Sequence, residues 1–308
     1  MPRFVRGIHP AAGAISADRR PAQLWIPRTS RGMTAGRRRK QLLPAVGRTK
    51  GHPMRILVTN DDGIHAPGLD SCAAIARTFT DDVWVVAPEF DQSGVAHSLS
   101  LSDPLRLRQV EEKRYAVKGT PTDCVIMAVR HLLIDNPPDL VLSGVNRGQN
   151  IAEDVSYSGT VAGAIEGTIL GIPSIALSQA FGMRTRENPN FVTAETHAPK
   201  IIQMLLDEGI PPGIVMNVNF PDRLPEEITG IAATAQGKRD QRLMRIDERR
   251  DGRNNPYYWI AFERRIYETS PGTDLRALDE GRISVTPLRL DQTDEPWMTR
   301  LALLFDGK

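Results

Sequence analysis

From Met54 onward, short continuous apolar runs alternate with longer stretches whose apolar positions recur at helical spacing. Ile56-Leu57-Val58, Val83–Ala87, Asp139–Ser143, Ser174–Ser178 and Gly213–Phe220 read as strands buried on both faces. Between them, Pro67–Phe79 places Leu69, Cys72, Ala73, Ile75, Ala76 and Phe79 on one helical face. Gly119–Cys124 opens another helix, with Thr120 suited to the N-cap, Pro121 to the first helical position and Asp123 to the third. Val161–Leu170 and Phe191–Asp207 predict two more helices. Leu105–Arg108 and Arg114–Lys118 alternate in polarity around a charged turn, so they predict a hairpin. Late in the chain come an aromatic, strand-like run at Tyr257–Phe262, a short helix at Thr273–Gly281 and a final strand at Ile283–Pro287. Strand and helix in alternation predict a mostly parallel α/β sheet flanked by helices, Rossmann-like in layout.

Residues 1–53 break this pattern. They show no sustained period, and Pro, Gly and Arg are scattered through them. They hold 12 Lys and Arg against one acid, Asp18, a net charge of +11, whereas the remaining 255 residues carry 27 basic and 36 acidic side chains, a net −9. The overall +2 describes neither part. Arg37-Arg38-Arg39-Lys40 is the kind of basic cluster that can touch nucleic acid or serve as an address. The alternative is a disordered segment, or one upstream of a true start at Met54, and this reading makes nucleic acid an unlikely partner. Residues 54–236 then form the α/β domain and 237–308 a smaller C-terminal portion packing back on it. With two cysteines, Cys72 and Cys124, each inside a predicted helix, a disulfide framework is not expected and a reducing cytoplasmic location fits. No apolar run approaches the roughly 18–20 residues that span a bilayer.

Candidate chemistry gathers where strands end. Asp61 and Asp62 follow the first strand at once, at the edge where open parallel sheets bind ligands. Two like charges so close need a cation or buried donors, which suggests a divalent-metal site; an Asx-turn closing the strand at Asp62-Gly63 is the alternative. The loop after the second strand carries Ser93 and His97, within reach of a metal or phosphate on the same edge, or simply surface residues. Asn146, after the third strand, offers a neutral oxygen to a hard cation. Gly159 and Thr160 place backbone N–H groups and a hydroxyl at a helix start, a natural phosphate cradle or a plain N-cap with close packing through Gly163 and Gly167. All these ligands are oxygens, which suits Mg²⁺, Mn²⁺ or Ca²⁺. No GxGxxG follows the first strand, and GxxxxGK[ST], CxxC and HExxH are all absent, so dinucleotide, P-loop and zinc readings lack support. The constellation suggests metal-assisted phosphoester hydrolysis.

Five stretches, MRILVTNDDGIHAPGL, VVAPEFDQSGVAHSLSL, GTPTDCV, PDLVLSGVNRGQNIAEDVSYSGTVAGAIEG and TDLRALDEGRISVTPL, resemble the SurE family of survival-protein 5′/3′-nucleotidases. The resemblance runs from Met54 to about Thr293, in order and with natural spacing. It implies a metal-dependent, acid-phosphatase-like hydrolase of nucleoside monophosphates. Asp61, Asp62, Ser93 and Asn146 would hold one divalent cation per subunit, Mg²⁺ or Mn²⁺. Asp61, Asp62 and Asn146 would be the catalytic residues, and Ser93, His97, Gly159 and Thr160 would bind substrate. It also implies a homodimer or homotetramer built from hairpins and exchanged segments in the C-terminal portion, and no membrane. The charged run Lys238–Asp251 falls in that portion and by itself reads as a solvated face. One departure stands out: the family usually has Arg before the loop serine, and this chain has Gln92. Two alternatives follow, a phosphatase of short polyphosphate or other phosphomonoesters, and a non-catalytic nucleotide- or nucleic-acid-binding protein using the basic extension.

Overall fold

The computed structural model describes residues 53–182, 185, 190–239, 244–262 and 269–306. The expectation for the basic extension therefore falls outside the described residues. All of them lie within one compact unit, Arg48–Lys308.

In chain order the elements are β1 (Ile56–Thr59), α1 (Pro67–Arg77), β2 (Val83–Pro88), β3 (Arg106–Glu111), β4 (Arg114–Lys118), α2 (Pro121–Met127), β5 (Leu140–Arg147) and α3 (Gly159–Ile169). Then come β6 (Ser174–Gln179), α4 (Val192–Glu208), β7 (Ile214–Phe220), β8 (Gly230–Ala233), β9 (Met244–Arg250), β10 (Pro256–Phe262), α5 (Asp274–Asp279), β11 (Arg282–Arg289) and α6 (Glu295–Phe305). Nine strands form one sheet in the order β3-β4-β2-β1-β5-β6-β7-β11-β8. From β4 to β7 neighbouring strands run parallel; β3 and β11 are antiparallel to their neighbours β4 and β7.

The apolar runs explain why the middle of this sheet is covered on both sides. Ile56 and Val58 of β1 pack with Leu69, Cys72 and Ile75 of α1 and with Ala194 and Ile202 of α4. Leu57 points the other way, into a cluster with Cys124 and Val125 of α2, Val86 and Val141. Every side chain of β1 is buried. Alternation within a continuous apolar run thus gives two cores, one per face.

Local signals fix the helices. Thr120 and Asp123 form a capping box at α2: the Thr120 hydroxyl accepts the Asp123 N–H at 3.2 Å and Asp123 Oδ2 accepts the Thr120 N–H at 2.8 Å. Gly68 lets α1 lie against β5, because a Cβ there would stand 2.0 Å from the Val145 carbonyl oxygen. Thr273 caps α5 and Gly281, at φ +72°, ends it.

Four elements depart from the sequence expectation. The charged run is not merely a solvated face: its second half is β9, paired antiparallel with β10 in a separate two-stranded sheet. Strand β8 and helix α6 were not anticipated. In α6 the Asp294 side chain accepts the Trp297 N–H at 2.7 Å and Pro296 lies in the first turn. The expected final strand, β11, does not stay in a C-terminal annex but enters the main sheet between β7 and β8.

Candidate active site

Strand β1 delivers Asp61 and Asp62 to the carboxyl edge of the sheet, and Asn60 closes the turn after it. Its side chain donates to the Gly63 carbonyl at 3.0 Å and accepts the Gly63 N–H at 3.3 Å. The Asx-turn therefore belongs to Asn60, and both aspartates are left for other work.

Asp61 is buried against the start of α3. The Thr160 hydroxyl donates to its Oδ1 at 2.5 Å. Gly159 abuts its side chain so closely that a Cβ there would lie 2.7 Å from the Asp61 Cβ. Burial pushes the Asp61 carboxyl up to about 7; the Thr160 hydroxyl works against this, and the negative charges of Asp62 and Asp91 add to it. Asp62 is raised as well, by burial first and by Asp91, although the Arg147 N–H reaches its Oδ2 at 3.3 Å and the Arg147 charge favours ionisation. Two carboxylates in a desolvated corner, with a third nearby, form a place whose electrostatics favour a cation.

The neighbouring loops complete the edge. After β2, the Gln92 N–H donates to the Asp61 carbonyl at 2.8 Å, a backbone contact that does not depend on which side chain stands at 92. Ser93 follows directly. At the end of β5, the Asn146 Nδ2 donates to the Gly148 carbonyl at 2.9 Å, so its Oδ1 is the end offered elsewhere. The loop beyond is pinned from the far half of the sheet: Asn150 N–H donates to Asn219 Oδ1 at 2.8 Å and Asn150 Nδ2 to Ser178 Oγ at 2.9 Å. Asp274 of α5 accepts the Ala152 N–H at 2.9 Å. At α3, Ser158 is the N-cap and takes the Val161 N–H at 3.0 Å. The first-turn amides, Gly159 and Thr160 among them, have no acceptor within the helix.

The structure thus gathers Asp61, Asp62, Gly159 and Thr160, with the Ser93 and Asn146 loops tied to them. Two roles shift. The Thr160 hydroxyl is already given to Asp61, leaving its backbone N–H for an anion. His97 is drawn to the second turn of α3, where its Nε2 lies 2.9 Å from Oε2 of the buried Glu166. Asp91, Ser158 and Glu166 were not singled out from the sequence. Ser158 was legible as a capping residue before a helix, but the partners of Asp91 and His97 depend on tertiary structure.

Whether these residues fit a divalent cation turns on the donor set. Among the described residues no three His, Cys, Asp or Glu side chains are grouped to hold a metal. Two carboxylates supplemented by a hydroxyl and an amide oxygen do fit a hard cation that keeps several waters. Acidic oxygens on the carboxyl edge, under a helix start, define a doubly wound α/β protein with a site suited to cations and phosphate.

Comparison with known proteins names the group. The chain belongs to the SurE family: the family model "Survival protein SurE" matches residues 56–243. It is 78% identical over 255 residues to the 5′-nucleotidase SurE of Azorhizobium caulinodans, covering 83% of this chain and 100% of that one. To the protein of the same name from Methylorubrum extorquens it is 66% identical, over 82% of this chain and 99% of the relative. The crystal structure of the SurE protein from Aquifex aeolicus is similar at a TM-score of 0.71 and 43% identity, covering 81% of this chain and 99% of that one.

Proposed function

We propose that this chain is a divalent-metal-dependent nucleotidase that hydrolyses nucleoside 5′- and 3′-monophosphates to nucleoside and phosphate. The observation that carries the proposal is the placement of Asp61 and Asp62, one buried and both pushed toward protonation, beside the start of α3. The relatives named 5′-nucleotidase SurE support the substrate class. Neither polyphosphate hydrolysis nor a purely binding role has a comparable support.

Asp61, Asp62, Ser93 and Asn146 would hold the cation, Mg²⁺ or Mn²⁺. Bound there, it would polarise the phosphoryl group and supply an activated water. The chain's own residues do the rest. The Gly159 and Thr160 amides, at the positive end of α3, receive phosphoryl oxygens and the charge that builds on them. Thr160 fixes Asp61 in one orientation through its hydroxyl. His97, held by Glu166, keeps the Ser93 loop against α3, assisted by the Ala96 N–H donating to the Tyr157 carbonyl at 3.2 Å.

The finer setting belongs to the same proposal. Copies of the chain assemble through the β9–β10 hairpin and α6, a reading supported by the exposure of Tyr258, Trp259 and Ile260 and of Trp297, Leu304 and Phe305. The reduced, buried Cys72 and Cys124 are in keeping with the cytoplasm. Among the described residues no helix is long and apolar enough to cross a membrane.

The test is phosphate release from a panel of nucleoside monophosphates and short polyphosphate, first with EDTA and then with Mg²⁺ or Mn²⁺ restored. Metal-restored release from the nucleotides is expected. Release from polyphosphate alone would replace the substrate, and no release with any metal would replace the enzyme by a binding protein.

A further inference from the structure

The loop that carries Ser93 contains a third carboxylate. Asp91 Oδ1 accepts the Ser93 N–H at 2.8 Å and the Ser93 hydroxyl at 2.6 Å. The first contact alone is an ordinary turn within the loop. The second has a chemical consequence. A hydroxyl has one proton and two lone pairs, and it can ligate a cation only through a lone pair, with its proton directed elsewhere. A carboxylate is the strongest acceptor for that proton, and at 2.6 Å the bond is as short as charge-assisted O–H···O⁻ bonds are.

Asp91 also stands close to the paired acids. Its charge is felt at both Asp61 and Asp62. The intervening Gln92 is bonded through its N–H to the Asp61 carbonyl, so the loop and β1 are held as one piece. Asp91 Oδ1 is already taken by the Ser93 N–H and hydroxyl, so Asp91 reaches the site through Ser93. It stands one bond further out.

We infer that Asp91 is a positioning residue for the cation site: it takes the Ser93 proton and so turns the Ser93 oxygen's lone pair toward the ion. This rests on the metal site proposed above. Outer partners of this kind fix ligand orientation and raise ligand basicity, and losing one typically weakens metal affinity by about 10–100-fold. Asp91 also brings a further negative charge to a site whose remaining two ligands are neutral.

The experiment is calorimetric titration of Mn²⁺ into the full chain and its Asp91→Ala, Asp91→Asn, Ser93→Ala and Asp91→Ala/Ser93→Ala variants, with no substrate present. Asp91→Ala is expected to weaken Mn²⁺ binding by about tenfold or more. Asp91→Asn, whose side-chain oxygen still accepts the Ser93 proton, recovers part of that loss. In the Ser93→Ala background, adding Asp91→Ala costs less than about twofold more, because the group it acts through is gone. An Asp91→Ala variant that binds Mn²⁺ like the parent overturns the inference. So does an equal loss in both backgrounds, which would mean a charge or loop effect independent of the hydroxyl. Should Asp91→Ala fail to fold, the gap between Asp91→Asn and the parent decides, equal affinity counting against. If the parent itself takes up no Mn²⁺, the metal site falls and this inference with it, a result distinct from the other two.

Discussion

The two ends of β1 and β2 handle carboxylates in opposite ways. At the amino edge, Asp82 is met by the Arg55 Nε at 2.7 Å, the Lys113 Nζ at 3.0 Å and the Trp84 Nε1 at 3.1 Å. Slight burial would raise its carboxyl, but the Lys113 and Arg55 contacts outweigh it and hold Asp82 below its ordinary value. At the carboxyl edge, at the far end of the neighbouring strand β1, Asp61 and Asp62 sit together in a desolvated corner and are driven upward. One end has completed its electrostatics within the chain. The other keeps a net upward shift despite the Thr160 hydroxyl on Asp61 and the Arg147 N–H and charge at Asp62, the pattern that clusters at functional sites. The direction of the shift, more than the presence of acids, separates the scaffold from the site.

The sharpest way to break this contrast is Asp61→Asn. Nucleotide hydrolysis should fall by about a thousandfold, as when a charge-stabilising group is lost from an active site. With EDTA present the variant should melt no lower than the parent, because a buried charge has been removed. A variant that keeps both metal uptake and turnover would place the site elsewhere. Next comes Gly159→Ala, whose new Cβ would press on Asp61 at 2.7 Å. Moving a ligand by about 1 Å costs roughly a hundredfold in rate, and such overpacking costs about 1–3 kcal/mol. Assays should find turnover hit harder than the melting temperature.

At the opposite end, Asp82→Asn should leave turnover within about twofold and lower the melting temperature by roughly 2–4 °C at pH 7. Since Asp82 is held below 3.8 in the folded state, its stabilisation is present above that value and disappears as the pH falls through its folded value. The gap between parent and variant should therefore close in acid, as melting curves across pH 7 to about 3 would show. The smallest effect is expected for Lys113→Ala, under about 1 kcal/mol for a partly exposed pair. A larger loss there than for Asp82→Asn would invert the proposed order.

Much of this was legible in the sequence, for physical reasons. The central strands announce themselves because burial on both faces demands uninterrupted apolar runs, and Thr120 with Asp123 gave the α2 cap residue for residue. Asp61 and Asp62 were visible as paired acids at a strand end. What the sequence withheld was long-range partnership. Nothing near His97 points to Glu166, 69 residues on, and nothing near Thr160 says that its hydroxyl would be claimed by Asp61. β9 was hidden because its charged, exposed residues carry no buried face to generate a pattern. Helix α6 was overlooked although Asp294 and Pro296 gave an ordinary helix start; its apolar residues meet no core among the described residues, so no expectation of burial drew attention to it.

The path of β11 has a consequence for how the chain is made. Its neighbours β7 and β8 are both complete by residue 233, 49 residues before β11 begins at Arg282, but in the sheet they are joined through it. Until Arg282–Arg289 emerges, β7 presents a bare edge and β8 has no strand to join. Synthesis therefore passes through an interval in which most of the polypeptide exists while one flank of its sheet stays open to strangers, the condition under which nascent sheets pair wrongly. A premature stop between residues 234 and 281 would make that interval permanent, and such truncated chains belong to the chaperones and proteases even though every residue of the acidic site has already been translated.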